Sequence, residues 1–306
     1  MVLACGRRRG DAVRMNEHDA LCFDDQVGLV TGAGGGLGLA YSRLLAQRGA
    51  RVVMHDTGAG SDGTGSDPQP IKEAVAELQR QGQDVLAAHV PIDTRAACHS
   101  LVADILARHG RIDFIVHNAG WVEYQQIDAL EDQRVDHMMA IAAKAPLWLA
   151  QAAWPAMRAQ GHGRIVLTTS DRALYPQYVQ PGLAAYAAAK LAAVGIVNVL
   201  AAEGAAQGII VNAISPIAKT RMWGVHGEPD ELHPDAVAPG AAFLASAACR
   251  DGGWVLRASN GQFHATRATE AQGVRYPRDL NAVAAASLEA VAAQWTVIAR
   301  QTVEPR

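Results

Sequence analysis

Thr31-Gly-Ala-Gly-Gly-Gly-Leu-Gly38 is the stretch whose reading decides the fold. It stands between the apolar run 27–30 and a helix-like segment that begins near Leu39. Backbone without side chains can approach a pyrophosphate closely, and the first turn of the following helix offers unpaired N–H groups and the positive end of its dipole. The spacing of Gly32, Gly36 and Gly38 is G-x-x-x-G-x-G, not the G-x-G-x-x-G of the commonest dinucleotide fingerprint. Glycine also serves any strained strand-to-helix connection, so the neighbouring sequence has to decide between a phosphate cradle and a plain turn.

The next apolar run, Arg51-Val-Val-Met-His-Asp56, has the β-branched content of a buried parallel strand and ends in a carboxylate. Asp56 follows Gly38 by 18 positions, close to the roughly 20-residue offset at which an acidic side chain meets the adenosine ribose hydroxyls. A carboxylate there accepts from both hydroxyls and repels a 2′-phosphate, which favours NAD over NADP. No Arg lies in the glycine turn to argue for the phosphate.

Short Val- and Ile-rich runs at 27–31, 51–56, 85–90, 112–117, 164–169 and 209–214 alternate with segments of helical spacing, such as Ile71, Val75 and Leu78, or the stretch 184–206. This alternation predicts an α/β fold, a single Rossmann-type doubly wound parallel sheet with helices on both faces. Residues 1–25 read as an N-terminal extension, 26–265 as the dinucleotide-binding and catalytic domain, and 266–306 as a C-terminal helical tail with an amphipathic helix over 280–298. Met15 follows Arg7-Arg8-Arg9, so residues 1–14 stand outside the fold or precede the true start. The Gly- and Pro-rich segment 57–70 reads as a tolerated surface insertion. The irregular segment 217–239, with Met222, Trp223, His226 and His233, follows the sixth strand and is assigned to covering the substrate, Trp223 being its candidate contact.

A net charge of −3 with no sustained basic run gives no footprint for nucleic acid or an anionic membrane. The longest apolar stretch, 191–202, is too short to span a bilayer and reads as a buried helix. Cys5, Cys22, Cys98 and Cys249 form no Cys-x-x-Cys pair and join no His cluster. They are read as free thiols in a reducing, cytoplasmic setting, and no metal is expected.

Two further motifs carry chemistry. Tyr186-Ala-Ala-Ala-Lys190 puts a phenol and an ammonium on one helix face, where the cation favours phenolate and lets the tyrosine exchange a proton with an alcohol oxygen. Arg164-Ile-Val-Leu-Thr-Thr-Ser170 is a strand ending in a hydroxyl placed to hold a substrate carbonyl oxygen, and His117-Asn-Ala-Gly120 ends the fourth strand beside the cofactor.

With Asp93 and Val211-Asn-Ala-Ile-Ser-Pro216 added, these motifs stand in the order of the short-chain dehydrogenase/reductase family, which the chain resembles from about Gln26 to Ala265. Within it the chain looks most like the (3R)-hydroxyacyl-CoA dehydrogenase part of peroxisomal multifunctional β-oxidation proteins and their bacterial relatives, through residues 31–41, His55-Asp56 with its Gly-rich loop, Gln151-Ala-Ala-Trp154 and the stretch from Asn212 to Met222. The resemblance implies NAD-linked interconversion of a secondary alcohol and a ketone. Tyr186 would be the general acid/base, Lys190 would hold the nicotinamide ribose, and Ser170 would orient the substrate oxygen. Gly32, Gly36, Leu37 and Gly38 would receive the pyrophosphate, Asp56 the ribose and Asp93 the adenine. Asn118, Ala119 and Gly120 would line the cleft, with Pro216 and Thr220 near the carboxamide. A homodimer or homotetramer is implied as well.

Three departures from the family pattern are visible. Ala142 stands where a relay Asn is usual, which leaves water or Lys144 to substitute. The gap from Ser170 to Tyr186 is 16 positions, an enlarged loop holding Tyr175, Pro176, Tyr178 and Pro181. Pro216-Ile217 replaces the usual Pro-Gly. The loss of the relay residue raises a second reading, a cofactor-binding protein with little dehydrogenase activity, acting as a sensor or assembly subunit.

Overall fold

The computed structural model describes residues 21–221, 224, 227 and 229–299. Six strands stand where the apolar runs predict them: β1 (Val27–Thr31), β2 (Arg51–His55), β3 (Val85–Ala88), β4 (Phe114–His117), β5 (Gly163–Thr168) and β6 (Ile209–Ile217). Two more, β7 (Val255–Ser259) and β8 (Gln262–Thr266), come from short runs interrupted by Arg257 and His264 that carry no clear period. The sheet has eight strands in the order β3-β2-β1-β4-β5-β6-β7-β8. All neighbours are parallel except β7 and β8, which pair antiparallel. The chain runs outward from β1 to β3 and returns to place β4 beside β1. That reversal opens a crevice at the carboxyl ends of β1 and β4.

Helices cover both faces. α1 (Gly36–Gln47), α2 (Gln69–Arg80) and α8 (Ala238–Ala245) bury their apolar sides in one core layer; α3 (Arg95–His109), α5 (Ala145–Gln160) and α7 (Ala184–Gly204) do so in the other. Gly28 of β1 pairs with Phe114 of β4, whose ring occupies the space a Cβ would need, 1.8 Å away. Phe23 packs edge-on against that ring at 5.7 Å and its N–H donates to Arg48 O at 2.7 Å, so the core already includes residues before Gln26.

The helical stretch 132–160 is not continuous. α4 (Asp132–Met139) passes into a single π turn (Ala140–Lys144) before α5. Pro146 explains the break, because it has no N–H and its ring would strike the carbonyl four residues back. In the π register the Ala145 N–H donates to Ala140 O. The partner Ile141 O would then need is Pro146, which has no N–H to give. His117 fills that role, its Nε2 lying 2.9 Å from Ile141 O.

Among the described residues one helix, the segment 184–207, is long and apolar enough to cross a membrane. Its Tyr186, Ala189, Lys190, Ala193 and Val197 are buried within the fold. The described residues from Arg267 onward form a second compact unit. There the expected helix over 280–298 is shorter, α9 (Leu288–Ile298), because Ser287 caps its start by accepting from the Ala290 N–H at 3.1 Å. Cys98 and Cys249 are free and buried. Cys22 is disulfide-bonded, which corrects the expectation of a free thiol; sequence spacing carries no information on which thiols meet. Met222, Trp223 and His226 lie outside the described residues.

Candidate active site

The glycine turn is a cradle by geometry. Gly32 and Gly36 have φ of +67° and +52°, left-handed values that cost a side-chain-bearing residue. A Cβ on Gly38 would stand 2.0 Å from Gly32 O, so only glycine lets α1 begin directly against the end of β1. Thr31 ties the two strands of the crevice together. Its hydroxyl oxygen accepts from the N–H groups of Asn118 (3.0 Å) and Ala119 (3.1 Å) and lies 3.0 Å from His117 Nδ1. Because His117 Nε2 faces a carbonyl, it must donate there; Nδ1 then accepts from Thr31. The imidazole is neutral, and burial holds its pKa down at about 3.

Asp56 stands just past β2, its carboxylate oriented by backbone: Oδ2 accepts from Gly34 N at 2.8 Å and Oδ1 from Gly58 N at 2.7 Å. A cavity of 910 Å³ runs from here across the turn, lined by Gly32, Gly36, Leu37, Asp56, Asp93, Asn118, Ala119, Gly120 and Thr220. The bare glycines, the oriented carboxylate and the extent of the lining from Asp56 to Thr220 fit a dinucleotide.

The segment 57–70 is not a passive insertion. Ala59, Gly60, Gly63 and Gly65 line the same cavity. Arg221 Nη2 donates to Ala59 O at 3.0 Å, and His137 Nε2 lies 3.1 Å from Gly63 O. Gly63 sits so close to Trp121 that a Cβ would lie 2.4 Å from the indole, and the indole packs on His137 at 4.8 Å. The segment therefore covers the cleft and is held from two sides. Its composition alone gave no sign of this, because the contacts are made by glycine backbone.

A second cavity of 510 Å³ adjoins the first, with Leu37, Asn118, Gly120, Trp121 and Thr220 common to both. Ser170, Tyr186, Lys190 and Pro216 line it. Ser170 ends the extended segment after β5 and caps the short helix α6 (Asp171–Leu174), accepting from Arg172 N at 3.2 Å. Tyr186 and Lys190 come from the first turns of α7. The Lys190 ammonium is buried, donates to Thr168 O at 3.3 Å and lies 6.0 Å from the Tyr186 ring. Burial lowers its pKa to about 8. The expected lowering of the Tyr186 pKa does not appear in the protein alone: burial outweighs everything else and raises it, opposed by the Ser170 hydroxyl and the Arg172 charge.

Of the two groups expected to stand in for the relay Asn, Lys144 is exposed and lines neither cavity. Ala142 is buried and packs in a cluster with Trp121, Met138 and Tyr186. The enlarged loop after Ser170 puts Gln177, Tyr178, Val179 and Gln180 on the substrate side of the cavity. A group that sequence reasoning missed anchors this loop. Asp171, one residue past Ser170, receives Arg257 Nε at 3.0 Å and Nη2 at 2.8 Å on Oδ2, and the Ser215 hydroxyl at 2.7 Å on Oδ1. Arg257 gave no signal in the sequence, because it interrupts a short run that carries no clear period.

The model of the short chain dehydrogenase family matches residues 26–229. The chain belongs to this family. A short-chain type dehydrogenase/reductase of Mycobacterium tuberculosis is 33% identical over 277 residues, covering 90% of this chain and 94% of the relative. Peroxisomal multifunctional enzyme type 2 of Mus musculus is 36% identical over 244 residues, covering 79% of this chain; the chain spans 32% of that enzyme's length. Among solved structures, a short chain dehydrogenase from Mycobacterium avium superposes with a TM-score of 0.76 at 31% identity, over 92% of this chain and 98% of the other. As a short-chain dehydrogenase the protein is an oxidoreductase that uses a nicotinamide cofactor.

Proposed function

We propose that the protein is an NAD-dependent dehydrogenase that interconverts a secondary alcohol and a ketone, with a 3-hydroxyacyl-CoA or a steroid-like alcohol as substrate class. The observation that carries this reading is the convergence of Ser170, Tyr186 and Lys190 on one cavity that shares a wall with the cleft over the glycine turn. Asp56 supports NAD, since its backbone-held carboxylate faces the ribose position and would repel a phosphate there.

When bound, the nicotinamide ring supplies the hydride acceptor or donor; the chain supplies positioning and the proton. Gly32, Gly36 and Gly38 receive the pyrophosphate, Asp56 the ribose hydroxyls and Asp93 the adenine edge. Lys190 holds the nicotinamide ribose and Thr220 the carboxamide side. In reduction, Ser170 donates a hydrogen bond to the carbonyl oxygen and Tyr186 gives its phenolic proton to that oxygen as the alcohol forms. In oxidation the phenolate takes the proton back. The raised Tyr186 pKa keeps the phenol protonated near neutrality, so reduction is served at pH 7 and oxidation gains as pH rises. Exposed Leu147 on α5 and Leu191 and Val199 on α7 support a homodimer or homotetramer.

The test is a panel of 3-hydroxyacyl-CoA thioesters, steroid alcohols and small secondary alcohols, each with NAD and with NADP, on the wild type and on Tyr186→Phe. Turnover with NAD that Tyr186→Phe loses by roughly 10²-fold or more, with NADH binding kept, is the expected result. No turnover on any member at high enzyme concentration would replace this reading with a cofactor-binding protein, the alternative that Ala142 raises.

A further inference from the structure

Ser215 of β6 and Arg257 of β7 are register partners on adjacent strands, and both donate to Asp171, the first residue of α6. The start of α6 is thereby stitched to β6 and β7 through one carboxylate that is itself buried. The guanidinium does more than pair with it. Its Cζ lies 4.6 Å from the centroid of the Tyr175 ring and 5.9 Å from that of the Tyr178 ring, and the two rings meet edge to face at 78°, so the aromatic residues of the enlarged loop pack around the cation that holds the loop's root. Asp171, Tyr178 and Arg257 all line the substrate cavity beside Ser170. Arg257 lies beyond the 26–229 stretch that the family model matches.

We infer that Arg257 is a positioning and specificity-determining residue: by clamping Asp171 and packing against Tyr175 and Tyr178, it fixes both the Ser170 hydroxyl and the aromatic wall against which the substrate lies. The catalytic part of this inference rests on the reading of Ser170 as the group that holds the substrate oxygen. The forked guanidinium is what the clamp requires, since an ammonium is a point charge that cannot present two coplanar N–H groups to a carboxylate while lying against two aromatic rings. Ser170 is the immediate chain neighbour of the clamped carboxylate. A displacement of about 1 Å at a positioning group is enough to cost roughly 10²-fold in rate.

The experiment compares wild type with Arg257→Lys and Arg257→Met, and with Tyr175→Leu/Tyr178→Leu as a variant that leaves the ion pair intact. Hydrogen exchange is followed in peptides covering 168–183 and 27–40, NADH affinity by fluorescence, and kinetics with acetoacetyl-CoA and a bulkier 3-oxoacyl-CoA. The expected result is exchange roughly tenfold faster in 168–183 with 27–40 unchanged, and NADH affinity within about threefold of wild type. The value of kcat/KM for the ketone should fall roughly 10- to 100-fold, with the KM for NADH unmoved. Arg257→Lys should recover less than half of the loss in log kcat/KM, and the ratio of the two acyl chain lengths should change in the Tyr175/Tyr178 variant. Wild-type exchange in 168–183 overturns the inference, as does equal loss of NADH affinity and ketone turnover. If Arg257→Met does not fold, Arg257→Lys and the tyrosine variant decide by the same readouts. An inactive wild type would sink the proposed function and leave the exchange measurement to decide the clamp by itself.

Discussion

Lys190 shows most directly how a single residue exchanges stability for chemistry. Its ammonium is buried and donates to Thr168 O. Burial brings its pKa down from 10.5 to about 8, so below pH 8 the folded protein carries a charge that the unfolded chain would rather solvate. A shift of this size corresponds to a cost of the order of 3 kcal/mol. Lys190→Met should therefore raise the stability of the cofactor-free protein by about 1–2 kcal/mol at pH 7, while turnover is lost. The sign follows from proton binding: between pH 8 and 10.5 the unfolded state holds more protons at this site, so the wild type gains stability across that window and the advantage of the variant disappears. Chemical denaturation of both proteins at pH 7 and pH 10 checks it, and a variant less stable than wild type at pH 7 would refute it.

At the scale of elements, the junction of β1 and α1 depends on a missing side chain. Gly38→Ala would place a methyl 2.0 Å from Gly32 O, against backbone that cannot swing away. The helix must then lift from the strand end, which should cost about 1–3 kcal/mol and abolish detectable NADH binding; thermal melts with and without NADH measure both. This junction was legible in the sequence because glycine spacing records a backbone conformation. The same holds for Asp56, Ser170, Tyr186 and Lys190, which stand at strand ends or on a helix face that local periodicity can place. The π turn was not legible, although its cause, Pro146, is in plain view. Its consequence depends on His117, from a different strand, arriving at the carbonyl that the proline leaves unpaired. The role of segment 57–70 was hidden for a related reason. Its anchors Trp121, His137 and Arg221 are remote in sequence, and the groups they hold are carbonyls and a glycine face that composition does not distinguish from an idle loop.

For the whole molecule, the buried neutral histidines make folding sensitive to acid. His117 has its pKa lowered to about 3, and that of His55 is lowered as well, chiefly by burial. Below pH 6.5 the unfolded chain binds protons that these rings refuse. Stability is thus complete above pH 6.5 and should fall by about 1.4 kcal/mol per pH unit for each such ring as the pH drops toward the folded-state value. Urea midpoints between pH 4 and 7 should show this slope, and His117→Gln should flatten it by one proton's worth; an unchanged slope would mean that the ring titrates normally. The last consequence concerns Trp121. One indole forms part of the wall of both cavities and supports the segment that covers the cofactor cleft. Two ligands that meet at a common surface are bound by thermodynamic reciprocity: whatever factor NADH contributes to the affinity for a ketone, the ketone must return to NADH. The order in which the ligands bind can then be tuned by evolution at this one side chain without touching the groups that move the proton.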